Sequence, residues 1–243
     1  MDPRFLRTEM LLGRAAMARL SAAHVCVLGL GGVGSWCAEA LARSGVGELT
    51  LMDQDKVERS NLNRQAEALE STLGLPKAEA MAIRVRDIAP GCQVHPVQGR
   101  YEAAAREAFF ARRCDYIVDA IDLVSCKLDL IEQALARGIP VISALGTGNK
   151  LDPSLLRVSD LSQTQGCPLA RVVRKELRKR DILHHKVVWS PEMARTPALP
   201  AGETPPPGRR SIPGSVMWVP AAAGLLLAAE VVRDLTAEGR ADV

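Results

Sequence analysis

Along the first 150 residues, short unbroken apolar runs alternate with longer segments of helical period. Residues 24–30, HVCVLGL, form a continuous apolar run of the kind a fully buried strand carries. A glycine-rich turn follows, and a helix is expected from about Val33 to Arg43, stopped by Gly45. ELTLMD (48–53) reads as the second strand. PKAEAMAIRVRDIAPG (76–91) reads as a helix with proline at its start and Pro-Gly at its end. Then come a short strand at 93–98, a helix at about 101–113, a strand at 115–122, a helix at 125–138 and a strand at 140–145. This order predicts an α/β fold: a doubly wound, Rossmann-like, mostly parallel sheet whose ligands lie beyond the carboxyl ends of the strands.

Beyond residue 150 the pattern is less regular. Residues 156–162 and 186–190 read as strands, 168–182 as a helix, and 215–237 as an apolar terminal helix. Residues 191–214 contain seven prolines and are expected to form a long mobile loop. The reading is one domain over 1–243: a nucleotide-binding part at 1–150, and a C-terminal part at 151–243 for substrate and dimerisation.

Composition narrows this. Hydrophobic residues are 47% of the 243 but aromatics only 3%, so the core must be aliphatic. Net charge is +3, and its excess lies late: 18 basic and 18 acidic residues up to position 150, then 13 and 10. The stretch from Arg171 through Arg174, Lys175, Arg178, Lys179 and Arg180 to Lys186 opposes seven cations to Glu176 and Asp181. Such a run reads as a solvated helix face, or with Arg209–Arg210 as a contact for a polyanion. The six cysteines include no C-x-x-C pair and read as buried thiols in a reducing, cytoplasmic setting. No signal peptide is expected. The apolar stretch 216–229 is shorter than the ~20 residues of a membrane span.

Four features carry chemistry. Gly29, Gly31 and Gly34 stand in G-x-G-x-x-G register between a strand and a helix, where the backbone can approach phosphates. Asp53 ends the second strand, placed to accept from ribose hydroxyls. Asp55 reads equally as a turn aspartate or a functional one. The segment D-Q-D-K-V-E-R-S-N-L-N-R-Q (53–65), followed by Lys77, separates this chain from a dehydrogenase. An enzyme cleaving ATP between its α- and β-phosphates needs cations there. Arg64 and Lys77 would neutralise developing charge, and Asn61 would donate a hydrogen bond. Asp122, past the next strand, is placed to hold Mg2+ against the phosphates. None of the four histidines, His24, His95, His184 and His185, stands after a clear sheet strand over the site, so none reads as the proton relay of a dehydrogenase.

The stretch GLGGVGSWCAEALARSGVGELTLMDQDKVERSNLNRQ resembles the ubiquitin-activating-enzyme-like adenylyltransferases, the superfamily of MoeB, ThiF and HesA. The resemblance implies adenylation of a carboxylate with ATP and Mg2+, by a homodimer. It carries nucleotide contacts onto Gly32, Asp53, Asn61, Arg64, Lys77 and Asp122. It also carries onto Arg7 an arginine that reaches the partner subunit's ATP. The two zinc-binding C-x-x-C pairs of MoeB and ThiF are missing. RFLRTEMLLG, VDAID and DPSLLRVSDLSQTQGCPLARVVRKELRK are instead similar to the tRNA threonylcarbamoyladenosine dehydratase branch. That branch implies a tRNA bearing threonylcarbamoyladenosine as substrate, with cysteine-desulfurase sulfur-relay proteins as possible partners. The alternatives are activation of a ubiquitin-like sulfur-carrier protein and a non-catalytic ATP-binding relay role. Cys126 and Cys167 are the cysteines nearest the site, and neither is assigned a role.

Overall fold

A computed structural model describes residues 2–198 and 213–237. Seven strands form one sheet: β1 (His24–Leu28), β2 (Glu48–Asp53), β3 (Gln93–Gln98), β4 (Tyr116–Asp119), β5 (Val141–Ala144), β6 (Arg157–Asp160) and β7 (Lys186–Trp189). Their order is β3-β2-β1-β4-β5-β7-β6, and every pairing is parallel except β6 with β7. β1, β4 and β5 are buried along their whole length. Both of their faces are covered by helices, which is why their sequences are unbroken apolar runs. β3 lies at an edge, where Pro96 can sit with its missing donor facing outward.

The helices are α1 (Leu6–Leu12), α2 (Arg14–Ala22), α3 (Gly34–Ser44), α4 (Lys77–Ile88), α5 (Arg106–Phe110), α6 (Val124–Ala136), α7 (Pro168–Arg178) and α8 (Trp218–Thr236). Side-chain alternation along the strands divides the core. Val25, Val27, Leu49, Leu51, Val118, Ile142 and Val188 pack with α2, α3, α4 and α8 on one face. Cys26, Leu28, Ile117 and Val141 face α6, and Val187 and Trp189 face α6 and α7, on the other. The C-terminal residues thus extend the same sheet, and α8 lies against α3 in the main core.

Several expectations shift. The first strand ends at Leu28, because Gly29 turns out of it with φ +88°. The helix expected over 101–113 is broken into a single turn at Ala103–Ala105 and the short α5. Two helices, α1 and α2, occupy the N-terminal segment that the apolar pattern left unassigned. α1 buries none of its residues, so no periodic apolar stripe marks it. Of the loop expected at 191–214, residues 199–212 lie outside the described residues, as do Arg209 and Arg210. All six cysteines are free thiols, five of them buried. No helix among the described residues is long and apolar enough to cross a membrane.

Candidate active site

A cleft of about 480 Å3 opens at the carboxyl ends of β1, β2, β3 and β4. Its floor is the turn between β1 and α3. Gly29 must be glycine twice over: its φ is positive, and a Cβ would stand 2.6 Å from the Ala120 carbonyl oxygen. A Cβ on Gly34 would collide with the Gly29 carbonyl at 1.8 Å. These two residues let the turn close. Gly31 differs, since a Cβ there would meet nothing within 4 Å. It leaves open space above the backbone, at the positive end of an 11-residue helix, which suits a phosphate. Gly32 faces Pro220 of α8 and the Arg64 side chain, with Cβ contacts of 3.2–3.4 Å.

The carboxylate of Asp53 holds this turn in place. Its Oδ2 accepts from the Leu30 amide at 2.6 Å and its Oδ1 from the Asp55 amide at 2.8 Å. Asp55 in turn receives the Lys77 ammonium at 3.3 Å, while its carbonyl accepts from the Lys77 amide. Lys77 is the first residue of α4 and is 6% exposed, so its charge is committed to the cleft wall. Arg64 stands opposite. Its Nη1 donates to the Ser60 carbonyl and to Asn63 Oδ1, both at 2.7 Å, and Trp36 Nε1 donates to the Arg64 carbonyl at 2.9 Å. Ser35 ties the two loops together, donating to the Gly31 carbonyl and accepting from the Ala66 amide.

Of the residues marked in the sequence, Gly29, Gly31, Gly32, Asp53, Asp55, Arg64, Lys77 and Asp122 all line this cleft, and Gly34 closes the turn beneath it. Asn61 and Arg7 do not line it. Asn61 is buried and turned back on its own loop, where Oδ1 accepts from the Glu58 amide at 3.0 Å. Its Oδ1 thus caps its loop, while its amide Nδ2, the group that would donate, makes only a 3.4 Å contact with Ser60 Oγ. Arg7 lies in α1, two residues after Phe5, which packs beside Gly45 at the far end of α3. Since α3 is about 16 Å long, Arg7 stands at the opposite edge of the sheet from its own subunit's cleft. That edge carries a larger cleft of about 600 Å3, which includes none of the glycine turn.

Other residues of the site carry no assigned role, and two of them, Arg100 and Tyr101, lie outside every motif. Gln54, Gln65, Arg100 and Tyr101 line the cleft. Arg100 and Tyr101 follow the edge strand β3, and nothing local in the sequence points them inward. Behind the wall lies Glu67, 1% exposed, with no hydrogen-bond partner at either carboxylate oxygen. Burial pushes its carboxyl up to about 8, despite the Lys77 charge nearby. The loop carrying Asp122 is anchored by a wholly buried cluster. Lys127 Nζ meets Asp119 Oδ2 at 2.6 Å, Ser143 Oγ donates to the same oxygen, and Asp119 Oδ1 accepts from the Ile121 amide. His185, on the other side of Ser143, is pushed down to about 3 by burial and by Lys127, so it is neutral. Asp119 is therefore half of a buried ion pair and also caps its own turn through the Ile121 amide.

The cysteines sit apart from this chemistry. Burial raises the Cys126 thiol, and the Cys167 sulfur accepts from the Ala170 amide at the start of α7. Neither lines the cleft. Among the described residues, no group of three or more His, Cys, Asp or Glu side chains could hold a metal.

The ThiF family model matches residues 5–242. This chain belongs to the ThiF family. Among its curated relatives, the tRNA threonylcarbamoyladenosine dehydratase of Bacillus subtilis is 40% identical over 238 residues, spanning 95% of this chain and 94% of the relative. The enzyme of the same name from Escherichia coli is 42% identical over 175 residues, which is 72% of this chain and 65% of the relative. A solved structure of the E. coli dehydratase, TcdA, in complex with ATP superposes with a TM-score of 0.85 at 35% identity, covering 96% of this chain and 93% of that one. A ThiF-family fold, with the cleft at its strand ends, accounts for the whole described architecture.

Proposed function

We propose that this protein is an ATP-dependent tRNA threonylcarbamoyladenosine dehydratase. One observation carries the reading: a near full-length match to a dehydratase in a chain whose Arg64 and Lys77 flank an open glycine cradle. The threonyl carboxylate of the modified adenosine attacks the α-phosphorus of ATP, and the bond to the β-phosphate oxygen breaks. Pyrophosphate leaves with the electron pair, giving an acyl-adenylate. The carbamoyl group then closes on the activated carbonyl, AMP departs and a proton passes to solvent. The net change in the nucleoside is the loss of one water.

This chemistry asks the protein for position and charge rather than for a nucleophile. The Gly31 backbone and the start of α3 cradle phosphates, and Asp53 accepts from the ribose. Arg64 and Lys77 neutralise charge as the α-phosphorus becomes five-coordinate. On binding, both must exchange their present partners, Ser60 and Asn63 for Arg64 and Asp55 for Lys77, for phosphate oxygens. The donor set also fits magnesium, which takes one or two carboxylates and completes its shell with phosphate oxygens and water. Asp122 would hold it, and the ion would supply further charge neutralisation at the phosphates.

The reading includes a homodimer in which Arg7 serves the partner's cleft, because Arg7 cannot line its own. Leu6, Met10 and Leu11 of α1 are 50%, 77% and 87% exposed, an apolar surface around Arg7 that a second subunit would cover. Arg64→Ala and Lys77→Ala should each lower the dehydration rate by about 100-fold or more, as loss of a transition-state charge contact does. Near-normal turnover in both variants would overturn the charge-clamp reading.

A further inference from the structure

We infer that the outer face of α7 is the surface that holds the tRNA backbone, through Arg171, Lys175 and Arg178. The structure separates the basic run into two sets. Arg174 is spent inside the protein, donating to the Leu161 carbonyl and to Thr164. Lys179 pairs with Glu176, Arg180 with Glu132, and Lys186 with Glu230 and Asp234. The side chains of Arg171, Lys175 and Arg178 are exposed and make no ion pair or hydrogen bond with any described residue. They stand at i, i+4 and i+7, which is one face of a helix. The opposite face buries Ala170, Val173 and Leu177. Three cations without a side-chain partner among the described residues, spread over about 10 Å of one helix, suit a run of phosphates better than a single anion.

The placement connects this stripe to the cleft. β7 is parallel to β5, so its end at Trp189 lies on the carboxyl edge where the cleft opens. The start of α7 lies at that same edge: a Cβ on Gly166 would stand 3.2 Å from the Pro191 carbonyl oxygen, and Gly146, just beyond β5, faces Leu169. α7 packs on α6, which begins just after the cleft residues Asp122 and Leu123. The stripe therefore begins about one helix width, some 10 Å, from the cleft wall and runs away from it. A modified base unstacked from an anticodon loop enters the cleft while its flanking backbone follows α7. This assignment rests on the dehydratase reading.

The test compares wild type, the triple variant R171Q/K175Q/R178Q, and R112Q. Arg112 is an exposed cation that follows α5 and lines a separate, smaller cavity with His24 and His95, away from the glycine turn. Binding of tRNA bearing threonylcarbamoyladenosine is measured by fluorescence anisotropy from low to moderate salt, together with dehydration kinetics and ATP affinity. In the triple variant, tRNA affinity should fall at least about tenfold, and the slope of log K against log salt should fall by about 2–3. KM for tRNA should rise while kcat at saturation and ATP affinity hold. R171K/K175R/R178K, which keeps the charges, should behave as wild type, and so should R112Q. Lys175 and Arg178 also sit in the last turn of α7, where cations favour the helix dipole. If that were their whole role, the triple variant would lose thermal stability with no change in the salt slope, and the proposal would be overturned. An equal loss in R112Q would overturn the localisation. Wild type that binds ATP but neither binds nor dehydrates the tRNA would overturn the functional reading itself, and the surface with it.

Discussion

Glu67 offers a quantitative check on the wall behind the cleft. It is 1% exposed with both carboxylate oxygens unpartnered, and burial raises its carboxyl from 4.5 to about 8. A raised pKa on an acid means that the folded state binds the proton more tightly than the unfolded state. The protonated group is therefore tolerated below pH 4.5, and stability is lost as pH climbs from 4.5 towards 8. Each pH unit in that window costs up to about 1.4 kcal/mol, so the whole window costs at most about 4–5 kcal/mol. Glu67→Gln keeps the shape and removes the titration. For a chain of this size 1 kcal/mol moves Tm by roughly 2–4 °C. The Tm difference between Glu67→Gln and wild type should thus be small at pH 5 and grow by several degrees by pH 8, in thermal unfolding followed by circular dichroism. Parallel Tm profiles from pH 5 to 8 would refute the reasoning, because they would mean that Glu67 is ionised in the folded protein.

Lys127→Met leaves Asp119 charged and unpaired at 0% exposure, and should destabilise the fold by about 3–5 kcal/mol in chemical denaturation. Lys127→Met with Asp119→Leu should recover most of that loss, and failure to recover would show that the pair acts through more than its charge. If Arg7 serves the partner's cleft, R7A and K77A homodimers should each be slow. Mixed and re-equilibrated, they should regain activity, because one site per heterodimer is then intact; no regain would place Arg7 in its own subunit's chemistry or outside the site.

The glycine turn that floors the cleft was legible because its constraints are local. A buried strand must read as an apolar run, the turn must carry glycine where a Cβ would strike Gly29 or Ala120, and Asp53 ends a strand. Lys77 and Asp122 follow the same logic, each a short step from a strand or helix end, whereas Arg64 is marked only by its place in the segment 53–65. What escaped is set by distance along the chain. The seating of α8 depends on Gly224, where a Cβ would lie 2.4 Å from the Val33 carbonyl oxygen, and on Pro220 against Gly32. No periodicity announces either contact. The antiparallel β6 beside β7 depends on which edge remains open after β5. Lys127 looks like any helix lysine until the fold sets it against Asp119. The cap that Asn61 forms on the Glu58 amide was not read from the sequence, although asparagine in a turn commonly engages its own loop in this way.

If the cleft spends ATP to remove water from a tRNA nucleoside, the nucleoside itself records the reaction. The purified protein, incubated with ATP, Mg2+ and tRNA bearing threonylcarbamoyladenosine and then digested for nucleoside mass analysis, tests it most directly. The expected product is a nucleoside lighter by one water, formed only when ATP is present and accompanied by AMP and pyrophosphate. An unchanged nucleoside, with ATP bound and intact or with AMP formed only when a small carrier protein is supplied, would contradict the dehydratase reading.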